Sequence, residues 1–264
     1  MALTLWLLGY PDQALQQSHA ALALSQELAH PYSRAIALGW AAFLSQHRRD
    51  ERATQEQAEA VIALSAEQGF LTYLAWGTIL GGWALAAQEQ GEEGIAQIRR
   101  GLAAYQATGQ KVYWPGFVSL LAEVYGKEGQ TEEGLIVLAE ALAVVNTTGQ
   151  CWYEAELYRL KGELTLQKLS VAGYQLSVTS TQHPAPNTQS EAEVCFLKAI
   201  EIARQQQAKS LELRAVMSLA RLWQQQDKKE EAHQMLAEVY GWFTEGFATK
   251  DLQEAQALIE ELNH

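Results

Sequence analysis

The chain has 264 residues, 48% of them hydrophobic, and only five prolines interrupt its Ala-, Leu-, Gln- and Glu-rich segments. This composition favours an all-α protein. The 31 acidic and 19 basic side chains give a formal net charge of −12. Such a charge repels a phosphate backbone, so we expect no nucleic-acid partner.

The chain carries no signal for a membrane or for an oxidising compartment. No stretch reaches the roughly 18 uncharged apolar residues of a membrane helix, and the start lacks a basic leader. The two cysteines, Cys151 and Cys195, are too few and too far apart for a zinc motif or a disulfide framework, and we expect both to be buried core thiols. These features predict a cytoplasmic protein without a membrane partner.

The predicted helices come in pairs. Gly69, Gly109 and Gly149 end successive segments at intervals of 40 residues, and each suits the left-handed turn that closes a helix. First helices are predicted at 31–46, 70–88, 113–128, 151–167 and 210–226, and second helices at 12–28, 51–68, 92–108, 131–148, 190–207 and 229–243. Because Ala2 occupies a position that should have seven residues before it, we expect a fragment of a longer array.

Shifting the sequence by 40 residues aligns columns of mostly small side chains, once an 18-residue insertion is allowed for. The first column, in the first helices, holds Ala2, Ala42, Gly82, Ala122, Gly162 and Ala220. The second, twelve residues further on, holds Ala14, Thr54, Gly94, Gly134, Ala192 and Ala232. Two helices approach closely only where neither carries a bulky side chain, so these columns predict the crossing points of antiparallel helices.

These columns resemble the tetratricopeptide (TPR) family, which has small residues at the same offsets. The resemblance implies an α-solenoid, a right-handed superhelix of about five to six helix pairs over residues 1–248, whose concave groove binds a protein or peptide. The period of 40 exceeds the usual 34 and implies longer helices. HEAT-like repeats share the longer period and are the structural alternative.

Residues 249–264 are predicted to form a capping helix over the last repeat. Asp251 is expected to cap its start together with Glu254, as in a capping box. Residues 169–189 contain no charged side chain, and Pro184 and Pro186 lie among them, so we expect a mobile insertion that leaves the solenoid as a loop. It is either a tolerated surface loop or a docking or phosphorylation segment.

No motif for catalysis or for a cofactor is found. The phosphate-binding pattern, H-E-x-x-H, C-x-x-C and G-x-S-x-G are all absent. Two Glu-x-x-His pairs, Glu27 with His30 and Glu230 with His233, would lie five repeats apart in a solenoid and therefore cannot share a metal. We expect a non-enzymatic protein with no cofactor and no metal.

In the family, groove-facing positions lie on the first helices. Trp76 and Trp83, seven residues apart on one helical face, are predicted to form an aromatic anchor for a peptide, with arginines nearby. The resemblance thus gives a candidate partner site at Trp76, Ile79, Trp83, Glu123, Arg159, Arg214 and Arg221. The alternative for most tryptophans is a place in the core between repeats.

Several segments suggest a closer relationship. Residues 151–163, 211–215, 218–223, 242–247 and 251–252 resemble the C-terminal repeat region of large bacterial signalling ATPases, which also carry a cyclase or a kinase. The resemblance implies a regulatory or sensor arm, with an ATPase or cyclase core elsewhere in the full-length chain. The alternative is a domain that senses a small-molecule effector in an aromatic groove formed by Trp76, Ile79 and Trp83. A closed, ligand-sized pocket in place of an open groove would favour this alternative.

Overall fold

The computed structural model describes the backbone of residues 1–177 and 186–263, and the side chains of residues 1–168 and 189–263. The described residues form thirteen α-helices and no strand. The helices are α1 (Ala2–Leu7), α2 (Pro11–Glu27), α3 (Pro31–His47), α4 (Glu51–Gln68), α5 (Leu71–Ala87), α6 (Gly91–Ala107), α7 (Trp114–Lys127), α8 (Thr131–Thr148), α9 (Glu154–Ser177), α10 (Pro186–Gln205), α11 (Lys209–Gln225), α12 (Lys229–Tyr240) and α13 (Lys250–Leu262). The helical repeat fold expected from the sequence is confirmed.

The predicted helices agree with the observed ones to within a few residues, except around the insertion. There α9 continues to Ser177, about ten residues past its predicted end, and α10 begins at Pro186. Both ends of the predicted loop 169–189 are therefore helical, while residues 178–185 lie outside the described part of the chain. Pro186 does not prevent α10 because it occupies the first helical position, where its missing N–H has no partner in the helix.

The small columns mark real crossings between helices. At the α5–α6 crossing, a Cβ added to Gly82 would lie 2.8 Å from the backbone oxygen of Gly94, and one added to Gly94 would lie 2.6 Å from that of Gly82. Among the alanines of the other pairs, five are fully buried, namely Ala14, Ala42, Ala122, Ala192 and Ala232. The backbones thus meet where the sequence predicted.

Left-handed residues occur in both kinds of turn. Gly69, Gly109 and Gly149 have φ of 73°, 77° and 69°, which confirms their predicted role after the second helices. A further series with positive φ follows the first helices and consists of Gly9, Arg49, Glu89, Gly129 and Asp227. The sequence concealed this series because three of its five members are not glycine.

The first helices lie inside and the second helices outside. Most residues of α5, α7 and α11 are buried, whereas α2, α4 and α8 expose one face to solvent. Among the cysteines, Cys195 of α10 is buried as expected, but Cys151 is exposed. The prediction for Cys151 is wrong because it lies in the turn before α9 rather than on a packed helical face.

The two ends of the solenoid meet. Trp6 of α1 is buried against α11, and the Ser210 hydroxyl donates to the Trp6 carbonyl. The Glu245 carboxylate accepts hydrogen bonds from the backbone N–H groups of Asp12 and Gln13 at the start of α2, both at 3.0 Å. The helix array therefore forms a closed ring, in which helix pairs far apart in sequence contact each other.

Candidate functional site

Aromatic rings fill the middle of the ring. Trp76 lies 5.1 Å from both Trp40 and Tyr113 and 5.2 Å from Phe117, measured between ring centroids. Trp76, Ile79 and Trp83 are at most 3% exposed. The structure therefore corrects the predicted aromatic anchor, because these three side chains belong to the core and offer no open surface to a peptide.

The four polar members of the predicted site do come together. One cavity of about 280 Å³ is lined by Glu123, Arg159, Arg214 and Arg221. Its wall contains five basic and five acidic side chains, namely Arg49, Lys127, Arg159, Arg214, Arg221, Glu123, Glu156, Glu163, Asp251 and Glu254. We call this space the polar cavity. The opposite charges balance within it, although the whole chain is acidic.

Arg159 of α9 is held on one side by its own helix. Its guanidinium donates to both oxygens of Glu156, at 2.7 and 2.8 Å, and to Glu163 Oε1 at 2.6 Å. The Ser218 hydroxyl of α11 also donates to Glu163 Oε1, at 2.8 Å. Two spacings along one helix, i,i+3 and i,i+4, thus place two carboxylates around one arginine.

Arg214 of α11 connects four other helices. It donates to Asp251 Oδ2 of α13 at 2.8 Å and to the His47 carbonyl of α3 at 2.6 Å. Its Nη1 lies 3.7 Å from Glu156 Oε1 of α9, and its Cζ lies 4.9 Å from the Trp6 ring centroid of α1. Arg214 is buried, and it joins α1 and α3, near the start of the chain, to α13 at the end of the array.

The start of α13 faces the polar cavity. Arg49 bonds to Asp251 at 3.2 Å and to Glu254 at 2.8 Å, and Arg221 lies 3.4 Å from Glu254. The predicted capping box is therefore wrong. Thr249 occupies the N-cap without a side-chain cap hydrogen bond, and the arginines of α11 and of the turn after α3 take up both acidic side chains.

The buried charges are stabilised by their partners. Burial alone would raise the pKa of Glu156, but the charge of Arg159 and its hydrogen bonds outweigh burial and lower this pKa to about 2. Burial opposes the charge of Arg214, yet Asp251 and Glu156 raise its pKa above the ordinary value. Each group therefore stays charged at neutral pH, and removing one partner leaves the other charge buried and unpaired.

His47 lies behind the polar cavity and stays neutral. Burial lowers its pKa to about 3, and its Nδ1–H donates to the Phe43 carbonyl at 2.7 Å. Its ring packs edge-on against Trp6, with 4.8 Å between centroids. Beside it, Gln46 lines the cavity, is 2% exposed and has no hydrogen-bond donor for its Oε1.

Glu123 connects the polar cavity to the aromatic interior. The indole Nε1–H of Trp83 donates to Glu123 Oε2 at 3.1 Å, and Lys127 lies 3.3 Å from Glu123 Oε1. Lys127 also lies over the Trp83 ring, 5.8 Å from its centroid. Trp83 thus supports a cavity side chain from behind without being exposed itself.

A second, apolar groove of about 620 Å³ opens beside α1. Leu3, Leu24, Leu28, Ile36 and Trp40 are among its lining residues. It shares no lining residue with the polar cavity.

Neither Glu-x-x-His pair belongs to a ligand cluster. His30 caps α3, since its Nδ1 accepts from the Ser33 N–H at 3.3 Å. In the part of the chain that the structure describes, no group of three or more His, Cys, Asp or Glu side chains is placed to hold a metal ion. Within the same residues, no helix is long and apolar enough to cross a membrane.

Sequence reasoning missed the side chains that come from the ends of the ring. Gln46, Arg49, Asp251 and Glu254 line the polar cavity together with the predicted residues. In an open solenoid, Arg49 and Asp251 would lie at opposite ends. Only the meeting of the two ends brings them to 3.2 Å, and no local pattern signals it.

Comparison with known proteins supports the fold. No family model matches the chain. An uncharacterised protein of Rhizobium meliloti (strain 1021) is 28% identical over 166 residues, which are 62% of this chain and 16% of that protein. The chain therefore spans about a sixth of the length of this relative.

Two solved structures share the architecture. Both are crystal structures from Podosopora anserina, and both are described as nearly identical TPR-like repeats of a kinesin light chain. One, a point variant, has a TM-score of 0.51 at 18% identity and covers 80% of this chain and 95% of its own. The other has a TM-score of 0.50 at 16% identity and covers 88% and 97%. The chain thus has a TPR-like fold.

Proposed function

We propose that the chain is a non-catalytic TPR scaffold that binds a protein partner through the polar cavity. The observation that carries the proposal is the convergence of Glu123, Arg159, Arg214 and Arg221 on one cavity. Opposite charges held in fixed positions give electrostatic complementarity, which selects partners and orients them. Because aromatic side chains fill the interior, a partner segment would enter the polar cavity and would not lie along the whole concave face.

Arg221 and Lys127 are the side chains most available to a partner. Each is 45% exposed and has a single contact with a carboxylate, at 3.4 Å to Glu254 and 3.3 Å to Glu123. A guanidinium carries five N–H donors and an ammonium three, so most of their hydrogen-bonding capacity remains. Removing either side chain should weaken binding and leave the fold intact.

The test is selection of binding peptides from a random display library, followed by calorimetric measurement of their affinities. Arg221→Ala should weaken the selected peptides by at least about tenfold, equivalent to about 1.4 kcal/mol. Arg52→Ala is the matched control, since it removes an exposed arginine that pairs with Glu56 on α4, outside the cavity. Equal affinities for wild type and Arg221→Ala would contradict the assignment of the site.

We further propose that this scaffold is the regulatory arm of a bacterial signal-transduction ATPase or cyclase. Support comes from the resemblance of residues 151–163, 211–215 and 218–223 to such regions and from the much greater length of the Rhizobium meliloti relative. The genomic DNA upstream provides the test. An in-frame P-loop ATPase would support the proposal, and an independent promoter directly before Met1 would contradict it.

A small-molecule effector is the second candidate, and the closure of the ring favours it. The polar cavity of about 280 Å³ is bounded by both ends of the chain and is close to the size range of small-ligand sites. A thermal-shift screen with charged metabolites would test it. A compound that raises the melting temperature of wild type but not of Arg221→Ala would support this function, and the absence of any such compound would count against it.

A further inference from the structure

The polar cavity has a buried part whose charges are paired and an exposed part whose donors are mostly free. Glu156, Arg159 and Arg214 are buried, and each contacts groups of opposite charge. Arg221 and Lys127 are 45% exposed, and each contacts a single carboxylate. Because a guanidinium has five donors and an ammonium three, most of the donors of Arg221 and Lys127 remain available. These donors suit an anionic group of a ligand.

Glu163 offers an acceptor close to Arg221. Glu163 Oε1 accepts hydrogen bonds from Arg159 and from the Ser218 hydroxyl, at 2.6 and 2.8 Å. Ser218 lies one turn before Arg221 on α11, so Glu163 and Arg221 are neighbours in the cavity. No described residue donates to Glu163 Oε2, and the side chain is 34% exposed. A carboxylate with one free oxygen suits an ammonium group of a ligand.

Gln46 is a buried polar side chain without a partner. It lines the polar cavity and is 2% exposed, and its side-chain amide makes no hydrogen bond with any described residue. Buried polar groups are nearly always hydrogen-bonded, because an unpaired group has lost water and gained nothing in its place. A rotation of the amide presents either its oxygen or its NH₂ group. Gln46 therefore points to a polar ligand independently of the charged side chains.

The rest of the wall limits the size and the chemistry of the ligand. Leu160, Leu164 and Met217 also line the cavity and are at most 4% exposed, so they offer an apolar contact to methylene groups. The volume of about 280 Å³ lies just below the range that holds drug-sized molecules. A fitting ligand is therefore small and has an anionic, a cationic and an aliphatic part.

The balance of charge in the wall favours a zwitterion. A ligand of one sign would meet like charges among the five basic and five acidic side chains, whereas a zwitterion finds an opposite charge for each end. We propose that the polar cavity binds a free α-amino acid. Arg221 pairs with its carboxylate, Glu163 pairs with its ammonium group, and the Gln46 amide adds a hydrogen bond. The proposal names the ligand of the small-molecule function above and rests on that function.

Calorimetric titration of the wild-type chain with single protein amino acids tests the ligand class. At concentrations up to about 10 mM, we expect at least one amino acid to bind. The amine that lacks its carboxylate and the acid that lacks its ammonium group should each bind at least about tenfold more weakly. The proposal is overturned if no amino acid binds, or if either single-charge analogue binds as tightly as the amino acid.

Gln46→Met tests the uncharged contact, because it keeps the length of the side chain and removes the amide. We expect affinity for the amino acid to fall about tenfold, while the melting temperature of the free protein does not fall, since no hydrogen bond is lost. The matched control is Gln97→Met. Gln97 is half-buried outside the cavity and donates to the Thr78 carbonyl at 3.2 Å. This control should lower the melting temperature and leave the affinity unchanged, and equal affinities for wild type and Gln46→Met would refute the proposal.

Glu163→Gln is a second variant that does not depend on the folding of Gln46→Met. It keeps the shape of the side chain and removes the negative charge. Affinity for the amino acid should fall about tenfold, whereas the acid that lacks the ammonium group should bind no more weakly than to wild type. An equal loss for the two ligands would overturn the placement of the ammonium group at Glu163.

Failure of this proposal is distinguishable from failure of the proposed functions. If amino acids do not bind, but a metabolite of one charge raises the melting temperature of wild type and not of Arg221→Ala, the ligand class is wrong and the small-molecule function stands. If amino acids do not bind and the selected peptides lose affinity in Arg221→Ala, this proposal is overturned and the protein-binding function stands.

Discussion

Backbone conformation at single residues explains part of the 40-residue period. Gly109 has φ of 77° with no atom within 4 Å of a Cβ added there, so its glycine is required by conformation and not by space. Glu89 also has a positive φ, 66°, but it lies in the other kind of turn, which follows a first helix. A left-handed conformation costs a non-glycine residue roughly 1–2 kcal/mol, so Glu89 carries strain that the sequence does not show.

Substitutions at these two turns should therefore have opposite signs. Gly109→Ala should lower the free energy of unfolding by about 1 kcal/mol, and Glu89→Gly should raise it by about 0.5 kcal/mol after the entropy of the unfolded chain is counted. Urea denaturation measures both. Ala103→Gly, at an exposed position within α6, is the control and should cost about 1 kcal/mol. A loss of stability in Glu89→Gly as large as that in Ala103→Gly would argue against strain at Glu89.

His47 should make stability depend on pH in a window where carboxylates contribute little. Burial lowers its pKa to about 3, below the unfolded value of 6.5, so between these values the unfolded chain binds more protons. Stability is therefore fully present above pH 6.5 and falls as the pH decreases. From pH 7.5 to 5 we expect a loss of about 2 kcal/mol by urea denaturation.

Two variants assign this dependence. His47→Gln should remove the loss between pH 7.5 and 5, whatever its effect at pH 7.5, because the titrating group is gone. His19→Gln changes an exposed histidine of α2 and should retain the wild-type slope. A slope that persists in His47→Gln would show that another group titrates.

At the scale of helices, close backbone contact decides which glycines are needed. Gly81 and Gly82 are neighbours in α5 but face different surroundings. A Cβ on Gly82 would meet the backbone of α6, at 2.8 Å from the Gly94 oxygen and 2.9 Å from the Ile98 nitrogen. A Cβ on Gly81 would meet first the end of the Gln97 side chain, which can move.

Gly82→Ala should thus destabilise the protein, whereas Gly81→Ala should not. We expect Gly82→Ala to cost about 1–3 kcal/mol, because α6 must move away. Gly81→Ala should be neutral or stabilising by up to about 1 kcal/mol, since alanine favours the helix. Thermal denaturation of the two variants makes the comparison, and equal melting temperatures would mean that the crossing is looser than the structure indicates.

At the scale of the whole molecule, closure changes how stability is distributed. In an open solenoid each repeat contacts only its neighbours, so a change in the first pair does not reach the last. Here Trp6 of α1 packs with Leu211 of α11 in one apolar cluster and lies under the Arg214 guanidinium. The two ends therefore stabilise each other.

Trp6→Ala should reduce hydrogen-exchange protection at both ends of the chain. Amides in α11–α13, more than 200 residues away in sequence, should exchange faster together with those in α1–α3. Val61→Ala is the control, since Val61 is equally buried near the N-terminal end but packs within its own region, beneath α5. It should affect nearby helices only, and unchanged exchange in α11–α13 of Trp6→Ala would contradict a closed ring in solution.

The sequence by itself determined the helices, their pairing and their crossings, because side-chain size, helix capping and periodicity act over a few tens of residues. It also predicted that Glu123, Arg159, Arg214 and Arg221 face the interior, and all four line one cavity, while partner binding there stays a prediction. It misplaced Trp76 and Trp83, since an inward face becomes core when the interior is filled. Only the tertiary structure decided that the ends meet, and with them the pairing of Arg49 and Arg214 with Asp251, because ionic contacts between the two ends of a chain leave no local pattern.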